Sequence, residues 1–172
     1  MKYLIAGTGG VGGSIAGFLS LAGKDVTCIA RGAHLQAIQT NGLKLKSDLK
    51  GEHTLAIPAT TAEEFNGKAD VIFVCVKGYS LDDTIPFIRS AAGEKTVVIP
   101  TLNIYGTGRT MQAQLPGLLV TDGCIYISSN LAAPGVIQRH GSIFRVIFGT
   151  PDHRTDDPVL CQVAADLTAA GI

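Results

Sequence analysis

A glycine-rich segment near the N-terminus constrains the fold more than any other part of the chain. An apolar run at residues 2–6 predicts a buried strand, residues 7–12 read G-T-G-G-V-G, and apolar residues at helical spacing predict a helix over about residues 11–22. A G-x-G-x-x-G turn that leads from a strand into a helix is typical of the first βαβ unit of an α/β protein. The chain is therefore expected to build a parallel sheet whose strands alternate with helices.

A similar alternation continues along the remaining sequence. Further strands are predicted at residues 26–30, 70–76, 96–99, 118–120, 123–127, 136–139 and 143–148. Further helices are predicted at residues 34–39, 80–93, 107–114 and 158–170. Residues 43–58 differ, because their alternating pattern indicates a peripheral hairpin with one solvated face. The whole pattern predicts an α/β fold of the Rossmann type, with a doubly wound, mostly parallel sheet, in one domain over residues 1–172.

Composition and charge exclude several classes of function. Lys plus Arg and Asp plus Glu both number 14, so the formal net charge is zero and no basic stripe indicates nucleic-acid binding. The histidines are scattered, without the spacing of a zinc site, so no metal is expected. Residues 3–23 carry no charge, but the seven glycines in that stretch argue against a membrane or signal helix. The four cysteines form no C-x-x-C pair and are predicted to be small buried hydrophobes in a reducing, cytoplasmic protein.

Each glycine of the G-x-G-x-x-G pattern has a predicted role. Gly7 permits the tight turn, Gly9 lets the backbone approach a pyrophosphate, and Gly12 lets the helix pack closely on the strand. The N–H groups at the start of the helix then face the anion. The alternative is a glycine-rich turn without a ligand, which the strand-to-helix context disfavours. The interpretation is a dinucleotide site formed by the motif residues Gly7, Thr8, Gly9, Gly10, Val11 and Gly12.

The end of the second predicted strand bears on which dinucleotide binds. Enzymes that use NAD usually place Asp or Glu there, to hold the ribose 2′-hydroxyl. Residues 26–39 contain no acidic residue, and Arg31 follows the strand instead. A guanidinium can pair with a 2′-phosphate through two hydrogen bonds, so the sequence favours NADP over NAD. The alternative is that Arg31 is a solvated surface residue.

Two further polar residues follow predicted strands. Lys77 comes directly after the apolar run at 71–76, and Asn103 follows the strand at 96–99. Ligands of doubly wound sheets bind beyond the carboxyl ends of the strands, so both side chains are candidates to face a ligand. The Asn103 amide can donate and accept hydrogen bonds at once, which suits a ribose hydroxyl or a substrate oxygen. The alternatives are a surface lysine in a loop and a simple turn asparagine.

Together these segments resemble the ketopantoate reductase family. The resemblance follows the whole chain and is carried, in order, by residues 7–12, 29–32, 74–77, 103 and 134–137. One departure is the sequence Leu-Asn-Ile at residues 102–104, where the family usually has Gln-Asn-Gly, and the next glycine is Gly106. This departure puts the local loop shape, and with it the substrate, in question.

The resemblance implies roles for single residues. Arg31 and Lys77 would face the 2′-phosphate end of NADPH, Asn103 would contact the nicotinamide and the substrate, and Ser128 would be a further cofactor contact. Family members carry a second, helical C-terminal domain with the catalytic lysine, which would follow residue 172. No catalytic residue is therefore assigned within this chain, and the chain alone is expected to be inactive.

The activity that the resemblance implies is an NADP-dependent reduction. The family reduces a small 2-keto acid, ketopantoate, to pantoate, in pantothenate and coenzyme A synthesis. Two alternatives stay open, because the fold alone does not fix the chemistry. One is a related Rossmann reductase of another small keto acid, and the other is a nucleotide-sensing module in which no hydride moves.

Overall fold

The computed structural model describes residues 1–152 and 156–172, and His153 lies outside these described residues. The helices of the described residues are α1 Gly10–Leu21, α2 Gly32–Asn41, α3 Leu81–Ala91, α4 Thr107–Gln114 and α5 Pro158–Ala170, with a short 3-10 helix at Gly78–Ser80. The strands are β1 Lys2–Ala6, β2 Asp25–Ile29, β3 Leu43–Ser47, β4 Gly51–Leu55, β5 Ala59–Thr60, β6 Ala69–Val74, β7 Ala92–Pro100, β8 Leu119–Val120, β9 Asp122–Ala133 and β10 Val136–Gly149.

The main sheet of the described residues consists of six parallel strands in the order β5-β2-β1-β6-β7-β8. Numbered by sequence within this sheet, the strands run 3-2-1-4-5-6, which is the strand order of Rossmann folds. Ala6, the last residue of β1, pairs with Ile29 of β2 on one side and with Val74 of β6 on the other. The strand order reverses between β1 and β6, so the crevice at their carboxyl ends is where this architecture binds ligands.

Alternate residues of β1 enter two different cores. Tyr3 and Ile5 belong to a core that also contains buried residues of α1, α2 and α5. Leu4 and Ala6 belong to a second core, on the opposite face, together with buried residues of α3 and α4. Because successive strand residues point to opposite faces, helices cover both faces of the sheet. The predicted doubly wound, parallel architecture is confirmed.

A second sheet of the described residues has the order β4-β3-β10-β9. Antiparallel β3 and β4 form the hairpin predicted within residues 43–58, and it lies outside the main sheet, as predicted. The short strands predicted at 123–127, 136–139 and 143–148 are wrong in extent, because β9 has twelve residues and β10 has fourteen. A register shift between His140 and Phe144, next to Gly141 with a φ of +76°, interrupts the alternation of β10 on which the prediction depended.

Helix α1 packs against both sheets, and two of its glycines permit close packing against the second sheet. A Cβ atom on Gly13 would lie 2.5 Å from the side chain of Ile137 in β10. A Cβ atom on Gly17 would lie 2.9 Å from the side chain of Leu45 in β3. Real Cβ atoms do not come so close to neighbouring atoms. The high glycine content of this segment therefore serves helix–sheet packing as well as the turn before the helix.

The predicted burial of the cysteines is only partly correct. Cys28 is buried and Cys75 and Cys124 are partly buried, but Cys161 is exposed, so its predicted burial is wrong. Cys161 lies on α5, whose buried face is formed by other residues at helical spacing, Leu160, Val163, Leu167 and Ala170 among them.

Two observations concern the expectations for metal sites and membrane helices. Within residues 1–152 and 156–172, no group of three or more potential ligand side chains could hold a metal ion. In the same part of the chain, no helix is both long enough and apolar enough to cross a membrane.

Candidate functional site

The glycine-rich loop lies at the crevice between β1 and β6. Residues 7–9 follow β1 and lead into α1, whose N-terminal cap is Gly9. Gly7 has a φ of +99°, a left-handed conformation that glycine adopts without the steric cost of a side chain. A Cβ atom on Gly7 would also lie 3.0 Å from the side chain of Val76 and 3.1 Å from the backbone of Cys75, both of which follow β6. The ends of the two strands thus meet where the sequence predicts a ligand site.

The other motif glycines differ in their surroundings. A Cβ atom on Gly12 would lie 2.1 Å from the carbonyl oxygen of Gly7, and one on Gly10 would lie 2.7 Å from Cα of Asn130 in β9. These two glycines therefore serve packing within the protein. A Cβ atom on Gly9 would meet no described atom within 4 Å, so this side of the loop is open.

The open side of Gly9 adjoins the N-terminus of α1. The first amides of a helix have no partner within the helix, and the helix dipole adds partial positive charge there. In α1 the Gly13 N–H donates to the carbonyl of Gly9 over 2.7 Å, and the N–H groups of residues 10–12 precede this hydrogen bond. An uncovered loop beside such amides fits the pyrophosphate of a dinucleotide.

The side chains of the remaining two motif residues make structural contacts. Thr8 is 3% exposed, and its N–H and its hydroxyl both donate to the carbonyl of Ile29, over 3.1 and 2.9 Å. Val11 is partly buried and packs against the core that contains α1. A ligand in the crevice would therefore meet the backbone of the loop rather than these side chains.

Arg31 lies just after β2, at the same edge of the sheet as the loop. It is the N-terminal cap residue of α2, and it is exposed. Among the residues that the structure describes, no ion pair or side-chain hydrogen bond involves its guanidinium. Because Ala6 pairs with Ile29, Arg31 and the glycine-rich loop emerge from adjacent strand ends. The guanidinium is available to an anionic group bound near the loop.

Lys77 and Asn103 follow the next two strands. Lys77 is exposed, at the start of the 3-10 helix that follows β6. Asn103 follows β7, whose last residue, Pro100, pairs with Val74 at the end of β6. Arg31, Lys77 and Asn103 therefore all lie at the carboxyl edge of the main sheet, the edge that binds ligands in this fold.

The Asn103 side chain already has backbone partners. Its Nδ2 donates to the carbonyl of Ile125 over 2.9 Å, and its Oδ1 accepts a hydrogen bond from the Ile125 N–H over 2.9 Å. The amide thereby joins the loop after β7 to β9. One Nδ2 hydrogen and one lone pair of Oδ1 remain for a ligand. The sequence did not predict this pairing, since nothing local indicates that β9 passes beside residue 103.

A cleft of about 840 Å³ lies beside Asn103. Its lining is mainly apolar and aromatic and includes Tyr105, Tyr126 and Phe148. Of the predicted site residues, which all lie in the described part of the chain, Asn103 alone lines this cleft. The structure therefore places the candidate residues in two groups, one around the glycine-rich loop and one around Asn103.

Ser128 lies on a different element from the other candidates. It is exposed on β9, opposite His140 of β10. Two residues further along β9, Asn130 packs against Gly10 at the start of α1. Strand β9 thus passes the N-terminus of α1 from the side of the second sheet, and Ser128 lies two residues along the strand from this contact.

His34 contacts the loop, although no role is predicted for this residue from the sequence. Its Nε2 lies 2.6 Å from the carbonyl oxygen of Thr8, and the N–H of Gly135 donates to its Nδ1 over 2.9 Å. The imidazole thus links the glycine-rich loop to the turn between β9 and β10. No motif marks a histidine at this position, so only the folded structure reveals the contact.

The strand order, with a glycine-rich loop at the point of reversal, defines an α/β domain of the Rossmann type, the architecture of many dinucleotide-dependent oxidoreductases. Comparison with known proteins identifies the family. Residues 3–153 match the family described as ketopantoate reductase PanE/ApbA, and the chain belongs to that family. The resemblance found in the sequence is confirmed.

Relatives of this chain include named reductases. An uncharacterised oxidoreductase of Bacillus subtilis is 34% identical over 149 residues, which cover 87% of this chain and 48% of the relative. A 2-dehydropantoate 2-reductase of Mesorhizobium japonicum is 31% identical, with 100% of this chain and 58% of the relative covered. The crystal structure of a 2-dehydropantoate 2-reductase from Porphyromonas gingivalis matches with a TM-score of 0.87 at 33% identity, over 100% of this chain and 62% of that chain. The chain thus spans about half the length of the curated relatives it matches.

Proposed function

We propose that this chain is the NADPH-binding part of a reductase that converts ketopantoate, a small 2-keto acid, to pantoate. The observation that carries the proposal is the open backbone at Gly9 beside the N-terminus of α1, at the reversal point of a Rossmann-type sheet. Membership of the ketopantoate reductase family supports the reaction class. The setting in pantothenate and coenzyme A synthesis, in the cytoplasm, is part of the proposal and rests on the family resemblance.

The loop has a role toward the cofactor in this proposal. The N–H groups at the start of α1 would hold the pyrophosphate, and the missing side chain at Gly9 would let the phosphates approach them. Thr8 fixes the loop to the end of β2 through Ile29. NADPH, when bound, supplies the hydride, and the residues of the chain bind and orient the cofactor.

We infer that NADP is preferred over NAD because of the residues at the end of β2. Arg31 is exposed there, and residues 26–39 contain no carboxylate that would repel a 2′-phosphate. Lys77 adds a second positive charge at the same edge of the sheet. A guanidinium binds a phosphate through paired, charge-assisted hydrogen bonds, and an ammonium binds it as a point charge.

The nicotinamide and the substrate are assigned to the neighbourhood of Asn103. The two hydrogen bonds to Ile125 hold the amide in one orientation, so its remaining hydrogen needs no reorganisation to bind a ribose or carbonyl oxygen. Ser128, on β9, is assigned a further cofactor contact. No catalytic residue is assigned within this chain, and we infer that the remaining half of the relatives' length supplies a helical domain with the catalytic lysine.

A second candidate function is the reduction of a different 2-keto acid. The lining of the cleft beside Asn103 is mainly apolar and includes three aromatic residues, of which Tyr105 is fully exposed and Tyr126 is 56% exposed. Leu102 and Ile104, on either side of Asn103 in the sequence, add apolar side chains to this lining. An apolar substrate side chain larger than that of ketopantoate would be favoured by burial against this surface.

Steady-state kinetics of the full-length native protein test these proposals. NADPH or NADH is combined with a panel of 2-keto acids that includes ketopantoate and acids with aromatic side chains, and nicotinamide absorbance is followed. The highest kcat/KM with NADPH and ketopantoate is the expected result, and the highest value with an aromatic keto acid would favour the second candidate. NADPH binding without oxidation by any acid would instead favour a nucleotide-sensing module. A protein that binds neither nucleotide would contradict all three functions.

A further inference from the structure

We propose that His34 is a positioning residue for the cofactor loop, which orients the peptide between Thr8 and Gly9 through a hydrogen bond from its Nε2–H to the Thr8 carbonyl. The inference rests on the proposed function, because it concerns the loop that would hold the cofactor pyrophosphate. It goes beyond that function in giving a role to a side chain that lies outside the G-x-G-x-x-G motif.

The imidazole lies between a backbone hydrogen-bond acceptor, the Thr8 carbonyl, and a backbone donor, the Gly135 N–H. A carbonyl oxygen can only accept, so the 2.6 Å contact with Thr8 requires a hydrogen on Nε2. A backbone N–H can only donate, so the 2.9 Å hydrogen bond from Gly135 requires a lone pair on Nδ1. One neutral tautomer, with the hydrogen on Nε2, satisfies both partners.

The hydrogen bond to Thr8 fixes more than one carbonyl group. The peptide bond between Thr8 and Gly9 is planar and trans, so the N–H of Gly9 points opposite to the Thr8 carbonyl. With the carbonyl directed at His34, the Gly9 N–H is directed away from it. No acceptor among the described residues takes this N–H. It is therefore available beside the open side of Gly9, where the pyrophosphate is expected.

The rest of Thr8 is fixed as well. Its N–H and hydroxyl both donate to the carbonyl of Ile29, over 3.1 and 2.9 Å. These contacts to Ile29 do not orient the peptide group between Thr8 and Gly9. The hydrogen bond from His34 sets that orientation. It also lies in the first turn of α2, three residues after Arg31, so the same helix carries the proposed 2′-phosphate ligand.

The second hydrogen bond of His34 has a different role. Gly135 lies in the turn between β9 and β10 with a φ of +75°, and a Cβ atom there would lie 2.9 Å from Cβ of Ala37 in α2. Its carbonyl accepts a hydrogen bond from the backbone N–H of Lys44 in β3 over 2.8 Å. The hydrogen bond from Gly135 to His34 therefore joins the second sheet to α2, and its role is structural. The two nitrogens of His34 can therefore be tested separately.

Two amide substitutions separate the two hydrogen bonds. In His34→Gln the side-chain Nε2 occupies about the place of the imidazole Nε2 and keeps a donor for Thr8. In His34→Asn the side-chain Oδ1 occupies about the place of Nδ1 and keeps an acceptor for Gly135. NADPH is titrated into each purified protein and followed by nicotinamide fluorescence, with His34→Leu as the variant that lacks both groups. We expect His34→Gln to bind like wild type, and His34→Asn and His34→Leu to bind about three- to tenfold more weakly, the effect of one neutral hydrogen bond.

The possible outcomes are distinct. If His34→Asn binds NADPH as tightly as His34→Gln, the positioning role is overturned, whatever their thermal stability. If wild type does not bind NADPH, the proposed function fails and this inference fails with it. An independent measurement needs no variant: nitrogen-15 NMR of the ligand-free protein should show the His34 tautomer with hydrogen on Nε2. The tautomer with hydrogen on Nδ1 would overturn the assignment directly.

Discussion

The hydroxyl of Tyr3, in the first strand, donates a hydrogen bond of 2.5 Å to the carboxylate of Asp166, in the last helix. Lys24 and Gln162 each donate to the same carboxylate over 2.8 Å. Asp166 is 5% exposed, and its buried charge is stabilised by these three donors, one of which is the Lys24 ammonium. The cluster attaches α5 to β1 and to the loop before β2.

Removing the charge of Asp166 should therefore destabilise the fold. Asp166→Asn loses the ion pair with Lys24 and weakens the hydrogen bond from Tyr3, since an amide oxygen is a weaker acceptor than a carboxylate. The expected loss is about 1.5–3 kcal/mol in the free energy of unfolding, the range for hydrogen bonds to a charged group. Urea denaturation measures it. Asp25→Asn, at an exposed position, is the matched control and should change little; equal stability of both variants would contradict the assignment.

The same cluster predicts how stability depends on pH. Burial alone would raise the pKa of the Asp166 carboxyl, but hydrogen bonds from Lys24, Tyr3 and Gln162 and the charge of Lys24 outweigh it and lower this pKa. A carboxyl whose pKa is lower in the folded state stabilises the fold fully above its unfolded pKa of about 3.9, and this contribution is lost as the pH falls through the folded pKa. The stability difference between wild type and Asp166→Asn should be constant at neutral pH and shrink as the pH falls below about 5. Urea denaturation from neutral to acidic pH tests it, and a difference that stays constant over that whole range would exclude this origin.

Alanine should have different effects at two glycines of the motif, weakening NADPH binding at Gly9 and lowering the stability of the fold at Gly12. Gly9 has a φ of −78° and open space at the Cβ position, so Gly9→Ala should fold normally and bind NADPH at least about tenfold more weakly, because the methyl group would stand where the pyrophosphate approaches. Gly12→Ala would put a Cβ atom 2.1 Å from the Gly7 carbonyl oxygen and should lower the melting temperature. Thermal unfolding and NADPH titration of both variants distinguish the roles. Unchanged affinity in a folded Gly9→Ala protein would argue against a pyrophosphate site here.

The local sequence predicted most of the elements for a physical reason. The spacing of apolar residues, together with Pro158 in the first turn, is a local signal, and helices α4 and α5 were predicted at their observed residues. Strand pairing is not a local signal. The parallel contact between β3 and β10 joins residues 43–47 to residues 136–139, and nothing in either segment encodes the partner.

The residues of the candidate site were likewise predicted only where a local pattern marks them. The glycine-rich loop, Arg31, Lys77 and Asn103 were found because each follows a strand, and the main sheet brings these strand ends to one edge. The packing of Gly10 on Asn130, and the contact of His34 with both Thr8 and Gly135, depend on the second sheet. The second sheet pairs segments that lie far apart in the sequence, and no local pattern marks the partners. These roles therefore could not be predicted from the sequence.

Substitution at Arg31 should change the preference between cofactors. Arg31→Asp removes a charge-assisted pair and places a negative charge beside the proposed 2′-phosphate, while NADH carries only a hydroxyl there. Affinity for NADPH should fall at least about tenfold, since each charged hydrogen bond contributes about 1.5–3 kcal/mol, and affinity for NADH should change much less. Titration of both cofactors into wild type, Arg31→Asp and the neutral control Arg31→Gln measures the preference, with Arg31→Gln expected to be intermediate. Equal affinity of wild type for NADH and NADPH would contradict the assignment of NADP.

The 172-residue chain should bind NADPH but not turn over ketopantoate. The glycine-rich loop and Arg31 provide the proposed contacts to the pyrophosphate and the 2′-phosphate, so the adenine half of the cofactor has its partners. Holding a keto acid near attack distance can supply about 7–11 kcal/mol of the barrier, and a proton donor typically contributes about 10²–10⁴-fold. Both are assigned to the part of the relatives' length that this chain does not span. Mixing the purified chain with NADPH and ketopantoate, and following nicotinamide absorbance, tests this division of roles. The full-length native protein is the positive control, and sustained oxidation by the 172-residue chain at a comparable rate would mean that the catalytic groups lie within residues 1–172.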